Sequence, residues 1–236
     1  MFDMVTKDDL LAAIKARHSV RNYKEQPLGE DVVSKLREKI EELNREGRLH
    51  MQLITDEPKG FSGIFAYGKF SGVSNYVVIA GVKDETFDER VGYYGEALVL
   101  YAQALGLNTC WAGLSYKKVP NTYVLAPGEK ISCYISIGYG ETQGVASKSK
   151  TPQQVSNVTA ETPDWFAAGV DAALLAPTAV NQQKFHFEYI APAQPGEPAT
   201  VKADKGFSII GYTRIDLGIA KYHFELATPP DAFRWA

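Results

Sequence analysis

Ala176-Pro177-Thr178-Ala179-Val180-Asn181-Gln182-Gln183 closes an apolar helix near the far end of this 236-residue chain, and Arg17-His18-Ser19-Val20-Arg21 follows another helix near its start. The late stretch is a proline-led turn that carries side-chain amides. Each amide offers donors and an acceptor, which suits the polar edge of a heterocycle. The early stretch gathers two guanidinium groups, an imidazole and a hydroxyl, a set that suits an anion such as a phosphate. Both have ordinary structural readings as well. Pro177 can end a helix with a polar turn, and Arg17 can cap the last carbonyls of the helix before it. Helix termination does not account for the added Asn181 and Gln183.

Composition sets wide bounds. Apolar residues make up 45% and charged residues 22%, an ordinary soluble balance, and the length suits one large domain or two small ones. A net charge of -3 gives no support to nucleic-acid binding, which calls for a basic patch or stripe. The start of the chain has no apolar core flanked by basic residues, and no stretch approaches a membrane span. Cys110 and Cys133 each sit in an apolar run and read as small buried side chains, which fits a cytoplasmic, reducing compartment. The 13 tyrosines suit an aromatic pocket, and core packing explains them as well.

Periodicity gives a coarse map. Helices are expected over 8–16, with Thr6 or Asp8 as N-cap, and over 30–45, where Val33, Leu36, Ile40 and Leu43 form a stripe stopped by Gly47. Strands are expected over 49–55, 75–83 and 130–139, and a long apolar helix over 91–105. A loop over 58–72 carries four glycines, and 107–114 leaves the long helix as a loop and short strand. Residues 141–159 read as an extended polar connection. Beyond it come a helix over 163–175, a strand over 184–190, another over 199–203 and a helix opening at Gly211-Tyr212 and running to about 227. The order helix, strand, Gly-Tyr helix occurs twice, with Gly92-Tyr93 in the first part, and suggests an internal repeat.

Together the two quoted stretches resemble the flavin-binding segments of the nitroreductase family. There an Arg-x-Ser-x-Arg/Lys segment and a Pro-Ser-x-x-Asn-x-Gln segment grip one FMN, and in the usual homodimers they come from different subunits. In this chain Thr178 replaces the usual Ser and Lys184-Phe185 the usual Pro-Trp, while Tyr23 and Pro27 follow the early segment as in the family. Both family motifs normally lie within the first few dozen residues. Here the second is displaced to the far end. The resemblance is therefore closest to the subgroup in which one chain imitates the family dimer. It implies an α+β, three-layer fold with a central, mostly antiparallel sheet and flanking helices. It also implies two unequal halves, 1–158 and 159–236, packed as one globular unit.

The same resemblance assigns candidate cofactor contacts. Arg17, His18, Ser19 and Arg21 would reach the FMN phosphate, ribityl chain and pyrimidine edge, and Pro177, Thr178, Asn181 and Gln183 would supply the partner motif. Trp111, Ala112, Gly113 and Leu114 match the segment whose backbone passes the flavin N5 edge, where Gly113 permits close approach. Lys148 and Lys150 match a basic pair that reaches back to the phosphate; a solvated charge run is the competing reading. Lys69 aligns only loosely with the family and is left out of the set. No metal-ligand spacing, nucleophile elbow or dinucleotide fingerprint is visible.

The implied activity is that of an FMN-dependent oxidoreductase. It would take a hydride from NADH or NADPH and pass it to a flat small-molecule acceptor such as a nitroaromatic or quinone, with the chemistry on the flavin and no catalytic side chain. A flavin-binding store, sensor or electron relay without turnover is the alternative. One complete site per chain and a monomer are expected; a domain-swapped dimer would build the same local site. The physiological acceptor and the choice of nicotinamide are not readable from the residues.

Overall fold

Thr6, not Asp8, caps the first helix, α1 (Lys7–Ala16): its hydroxyl accepts the Asp9 N–H at 3.2 Å, and the Asp9 carboxylate accepts the Thr6 N–H at 2.9 Å. The computed structural model describes residues 5–62, 69–194 and 196–236. Gly63 and Gly68 of the glycine-rich loop fall outside the described residues. The second helix, α2 (Glu30–Gly47), buries Leu36, Ile40 and Leu43 as its spacing requires. Gly47 does not stop it. It is the last helical residue, pressed against Tyr94 so closely that a Cβ would lie 2.6 Å from the ring, and Arg48 makes the left-handed turn at φ 47°.

The chain continues through β1 (His50–Ile54), β2 (Tyr76–Val82), α3 (Phe87–Ala104), β3 (Asn108–Ala112) and β4 (Glu129–Gly138). The connection after β4 contains a single helical turn, α4 (Pro152–Val155), started by a Thr151–Gln154 capping box. Then follow α5 (Asp164–Ala173), β5 (Phe185–Ile190), β6 (Ala199–Lys205), α6 (Thr213–Leu226) and β7 (Phe233–Trp235). The three residues of β7 are too few to show a period in the sequence.

Two sheets result. The larger is antiparallel throughout in the order β1-β2-β4-β3. Its inner strand β2 turns Val77 and Ile79 to the helices and Tyr76 and Val78 to the opposite face, so both faces are buried. On that opposite face Tyr76, Tyr116 and Tyr123 gather around Tyr134. Much of the tyrosine richness is therefore spent on core packing. The smaller sheet has the order β5-β6-β7, antiparallel then parallel. Orientation relates the two sheets. Because β2 and β3 both run antiparallel to β4, they run parallel to each other with β4 between them. In the smaller sheet β6 and β7 run parallel and pair directly, as β2 and β3 would if β4 were removed.

Helices α3 and α6 cross at the centre of the molecule. At the crossing their backbones touch, because Gly92 and Gly218 carry no side chain: a Cβ on Gly92 would run into the Ile215 carbonyl oxygen, and one on Gly218 into that of Glu89. The two Gly-Tyr pairs of the expected repeat do not hold matching places. Gly211-Tyr212 precedes α6, whereas Gly92-Tyr93 lies inside α3. The partner of Gly92 is Gly218, two helical turns further on. Phe166, Phe187 and Phe224 continue the core between α6 and the smaller sheet.

Candidate active site

The early cationic segment is laid along the edge of β3. Val20 donates its N–H to the Thr109 carbonyl at 3.1 Å, Ser19 bridges Thr109 in parallel, and Tyr23 is pinned by its hydroxyl to the Val20 carbonyl and Ser136 Oγ. The late segment leaves α5 through Pro177 and tightens into a short 3-10 turn, Ala179–Asn181. Val180, Asn181 and Gln183 adopt φ of 46°, 56° and 45°. For a β-branched residue such as Val180 that conformation is strained, and the strain sits in a wall of the cavity described next.

Two adjoining cavities of about 570 and 590 Å³ lie between these segments. They share Ser19, Arg21, Lys69, Pro177, Thr178 and Val180 as walls. The first is polar, with Arg17, His18 and the hydroxyls of Ser147 and Ser149. The second is more apolar, walled by Trp111, Ala112, Gly113 and Leu114 on one side and by Ile215 and Ile219 of α6 on another. Segments from opposite ends of the sequence thus meet at one place. Gly113 lies under the Tyr212 ring, and a Cβ there would meet Tyr212 Cζ at 2.6 Å, so the ring would have to shift.

Several candidates take positions other than those expected. Gln183 does not line either cavity. Its side chain is buried, Oε1 accepting the Lys150 N–H at 2.8 Å and Nε2 donating to the Leu174 carbonyl at 2.8 Å. Lys150 turns the same way, Nζ donating to the Gln183 carbonyl at 2.6 Å, and burial holds its ammonium below the usual lysine range. Lys148 is also absent from the cavity walls and offers its carbonyl to Asn181 Nδ2 at 2.7 Å. These residues strap the 148–150 connection to the turn, because a left-handed Gln183 points its amide inward. Asn181 keeps an exposed place on the wall of the polar cavity.

Arg17 is nearly buried. Its Nη2 donates to the Leu175 carbonyl at 3.3 Å, and its Nε stands 3.7 Å from Glu96 Oε1 without a hydrogen-bond partner. Glu96 is itself fully buried. Its Oε2 accepts the Trp111 indole N–H at 2.9 Å, and its Oε1 lies 2.9 Å from His223 Nε2. His223 Nδ1 faces the Ala172 carbonyl at 3.0 Å and must donate to it, since a carbonyl only accepts. A charged network from α1, α3, β3 and α6 therefore lies directly behind the cavity. Arg21, by contrast, is exposed and walls both cavities.

Sequence reasoning missed Asp216, Tyr212, Glu96 and His223. A signal for Asp216 was present. It is an acidic residue in the otherwise apolar run Ile215-Asp216-Leu217-Gly218-Ile219-Ala220, where a carboxylate is buried unless the helix is exposed. It is 2% exposed, and burial pushes its carboxyl up to about 6 against the opposing pull of hydrogen bonds from the Ala179 N–H and Gln182. Burial raises the Cys110 thiol as well. Among the described residues no His, Cys, Asp and Glu side chains group to hold a metal, and no helix is long and apolar enough to cross a membrane.

Comparison with known proteins gives the family and the fold. The family model described as "Putative TM nitroreductase" matches residues 9–228. The chain belongs to this nitroreductase family. Among solved structures, a "putative nitroreductase" from Thermotoga maritima MSB8 is 23% identical, with a TM-score of 0.62 over 96% of this chain and 87% of that one. NfrA2 of B. megaterium is 12% identical, with a TM-score of 0.50 over 66% and 75%. A "putative nitroreductase in complex with FMN" from Desulfovibrio desulfuricans is 18% identical, with a TM-score of 0.49 over 65% and 96%. No curated protein matches the chain.

Proposed function

We propose that this protein is an FMN-dependent NAD(P)H oxidoreductase of nitroreductase type, with one flavin site per chain. The observation that carries the reading is the meeting of the 17–21 and 177–181 segments at one pair of cavities, one cationic and hydroxyl-rich, the other largely apolar. Their size lies within the range of about 300–1,000 Å³ usual for ligand sites. The donor set fits the group. Arg21, His18 and Ser19 would hold the phosphate, while Thr178 and Asn181 would meet polar atoms of the flavin. The backbone of 112–114 would lie along the ring.

Bound there, FMN would supply the redox chemistry, hydride transfer from NADH or NADPH to a flat acceptor such as a quinone or nitroaromatic. The protein's part is to bind, orient and exclude water. Leu114, Val180 and Ile210 wall the apolar cavity and are exposed at its mouth, which suits an uncharged planar partner. The network behind Trp111 fixes its indole edge and with it the course of 111–113.

The single site follows from the halves. We read the larger sheet with α2 and α3 as one nitroreductase-like half, and the smaller sheet with α5 and α6 as a second that lacks the β4 strand. The reciprocal Gly92–Gly218 crossing supports this, since residue pairs exchange roles across it as they do in an isologous dimer. Ser156 bridges Phe187 and Asn157 bonds Tyr189, contacts that favour a division before 156 over the expected one at 158.

The test is the spectrum of the FMN-loaded protein under anaerobic conditions. Bleaching by NADH or NADPH, with recovery on adding a quinone or nitroaromatic, is expected. Flavin uptake without bleaching by either nicotinamide would replace turnover with the store or relay reading.

A further inference from the structure

Asp216 lies in the first turns of α6, with its carboxylate against the late turn. Oδ1 accepts the Ala179 N–H at 2.9 Å, and Oδ2 accepts from Gln182 Nε2 at 2.6 Å. Gln182 Nε2 also donates to the Gly211 carbonyl at 3.0 Å, so this amide joins the turn to the residues just before α6. Gln182 Oε1, meanwhile, is buried and has no hydrogen-bond partner. An amide with both donor contacts engaged and its oxygen idle is held in place by what it faces. An ionised carboxylate accepts at both oxygens, whereas a protonated one carries an O–H that needs an acceptor of its own.

We propose that Asp216 is a positioning residue: with Gln182 it forms a proton-sensitive latch that fixes the 178–183 turn as a wall of the flavin cavity. Ionised, Asp216 accepts from both the Ala179 N–H and the Gln182 amide. Once Oδ2 carries a proton it must donate. The idle Gln182 Oε1 then becomes its acceptor, the amide turns over, and the bond to the Gly211 carbonyl is given up. No atom leaves the site; one proton is taken up from solvent, and the turn exchanges one set of contacts for another. Val180, strained at φ 46°, stands at the apex of this turn and is free to relax when the contacts change.

The surroundings leave the change to Asp216. The titratable groups that share its cavity are Arg21, Lys69, Cys110, Cys133 and Tyr212, and none makes a hydrogen bond or ion pair with it among the described residues. On α6, Arg214 turns away to the Glu85 carbonyl, and on α3, Glu89 pairs with Lys221. Burial places the Asp216 transition at about pH 6, within reach of ordinary buffers.

The latch is tested in the ligand-free protein, where the flavin reading plays no part. The side-chain amide signals of Gln182 and the backbone amide of Ala179 are followed by nitrogen-15 NMR between pH 5 and 8. Both are expected to titrate with a midpoint of about 6, and Ala179 exchange protection to fall about tenfold at the acid end. In Asp216→Asn, whose amide mimics the protonated carboxyl, Gln182 is expected at its acid position at every pH. Signals that do not move with pH in the wild type, or that still titrate in Asp216→Asn, overturn the latch. The consequence for FMN rests on the proposed function: affinity should weaken about tenfold below pH 6, and at all pH values in Asp216→Asn. Failure to bind FMN at any pH, with the amide titration intact, sinks the flavin reading and supports the latch.

Discussion

Gly92 and Gly218 hold reciprocal places in the α3–α6 crossing, each pressed against the backbone three residues before the other. Each helix carries a glycine at the point of closest approach, so the two backbones meet with no side chain between them. This contact brings the helices together closely enough for Ile215 and Ile219 to wall the cavity while Glu96 and His223 join behind it. Alanine at either glycine gains about 1 kcal/mol of helix propensity. The added methyl group, however, meets a carbonyl oxygen and not a flexible side chain. A net loss of about 1–3 kcal/mol is expected from overpacking, read by urea denaturation. Unchanged stability in both variants would show that the crossing is looser than described.

Glu96→Ala removes the acceptor from Trp111, His223 and Arg17 at once. Groups this deeply buried cannot recover their bonds from water, so the loss should reach about 3–5 kcal/mol. Chemical denaturation measures it, and the Trp111 fluorescence should shift with the altered indole contact. A variant as stable as the wild type would mean that the network contributes no net stability.

The buried carboxylate has the opposite sign. Folding raises the Asp216 carboxyl from 3.8 to about 6, so the folded chain holds this proton more tightly than the unfolded one. The stability this gives is present in full below about pH 4 and is lost as the pH rises through 6. A shift of about two units corresponds to roughly 3 kcal/mol. Asp216→Asn lacks this term, so its stability relative to the wild type should improve between pH 4 and 7. Parallel stability curves for the two proteins would contradict the burial argument.

The two arginines should separate. Arg21 is exposed and touches both cavities, so Arg21→Ala is expected to weaken FMN binding by about ten- to a hundredfold, from a charge-assisted contact of about 1.5–3 kcal/mol. Its unfolding midpoint should hardly move. Arg17→Ala is expected to lower both affinity and stability, because Arg17 also holds the Leu175 carbonyl and faces Glu96. Binding isotherms and melting curves on the two variants decide this.

Much of the fold was legible because its signals are periodic. The α2 stripe, the apolar run of β2 and the long α3 announced themselves, and the 17–21 and 177–181 segments line the same pair of cavities. What was hidden depends on the third dimension. Nothing local distinguishes Asn181, which faces the cavity, from Gln183, which turns inward; the difference lies in left-handed backbone angles. Likewise the Gly-Tyr pairs suggested a repeat, whereas the α3–α6 crossing is made by Gly92 and Gly218, because close approach needs a missing side chain and not a matching dipeptide. Asp216 was a charge in an apolar helix, and only the folded turn supplies its two donors.

The most direct measurement is a titration of FMN into a dilute sample shown by light scattering to be monomeric. One FMN bound per monomer, with affinity reduced in Arg21→Ala, is the expected result. Absence of binding, or binding by a dimer only, would contradict a flavin site completed within one chain.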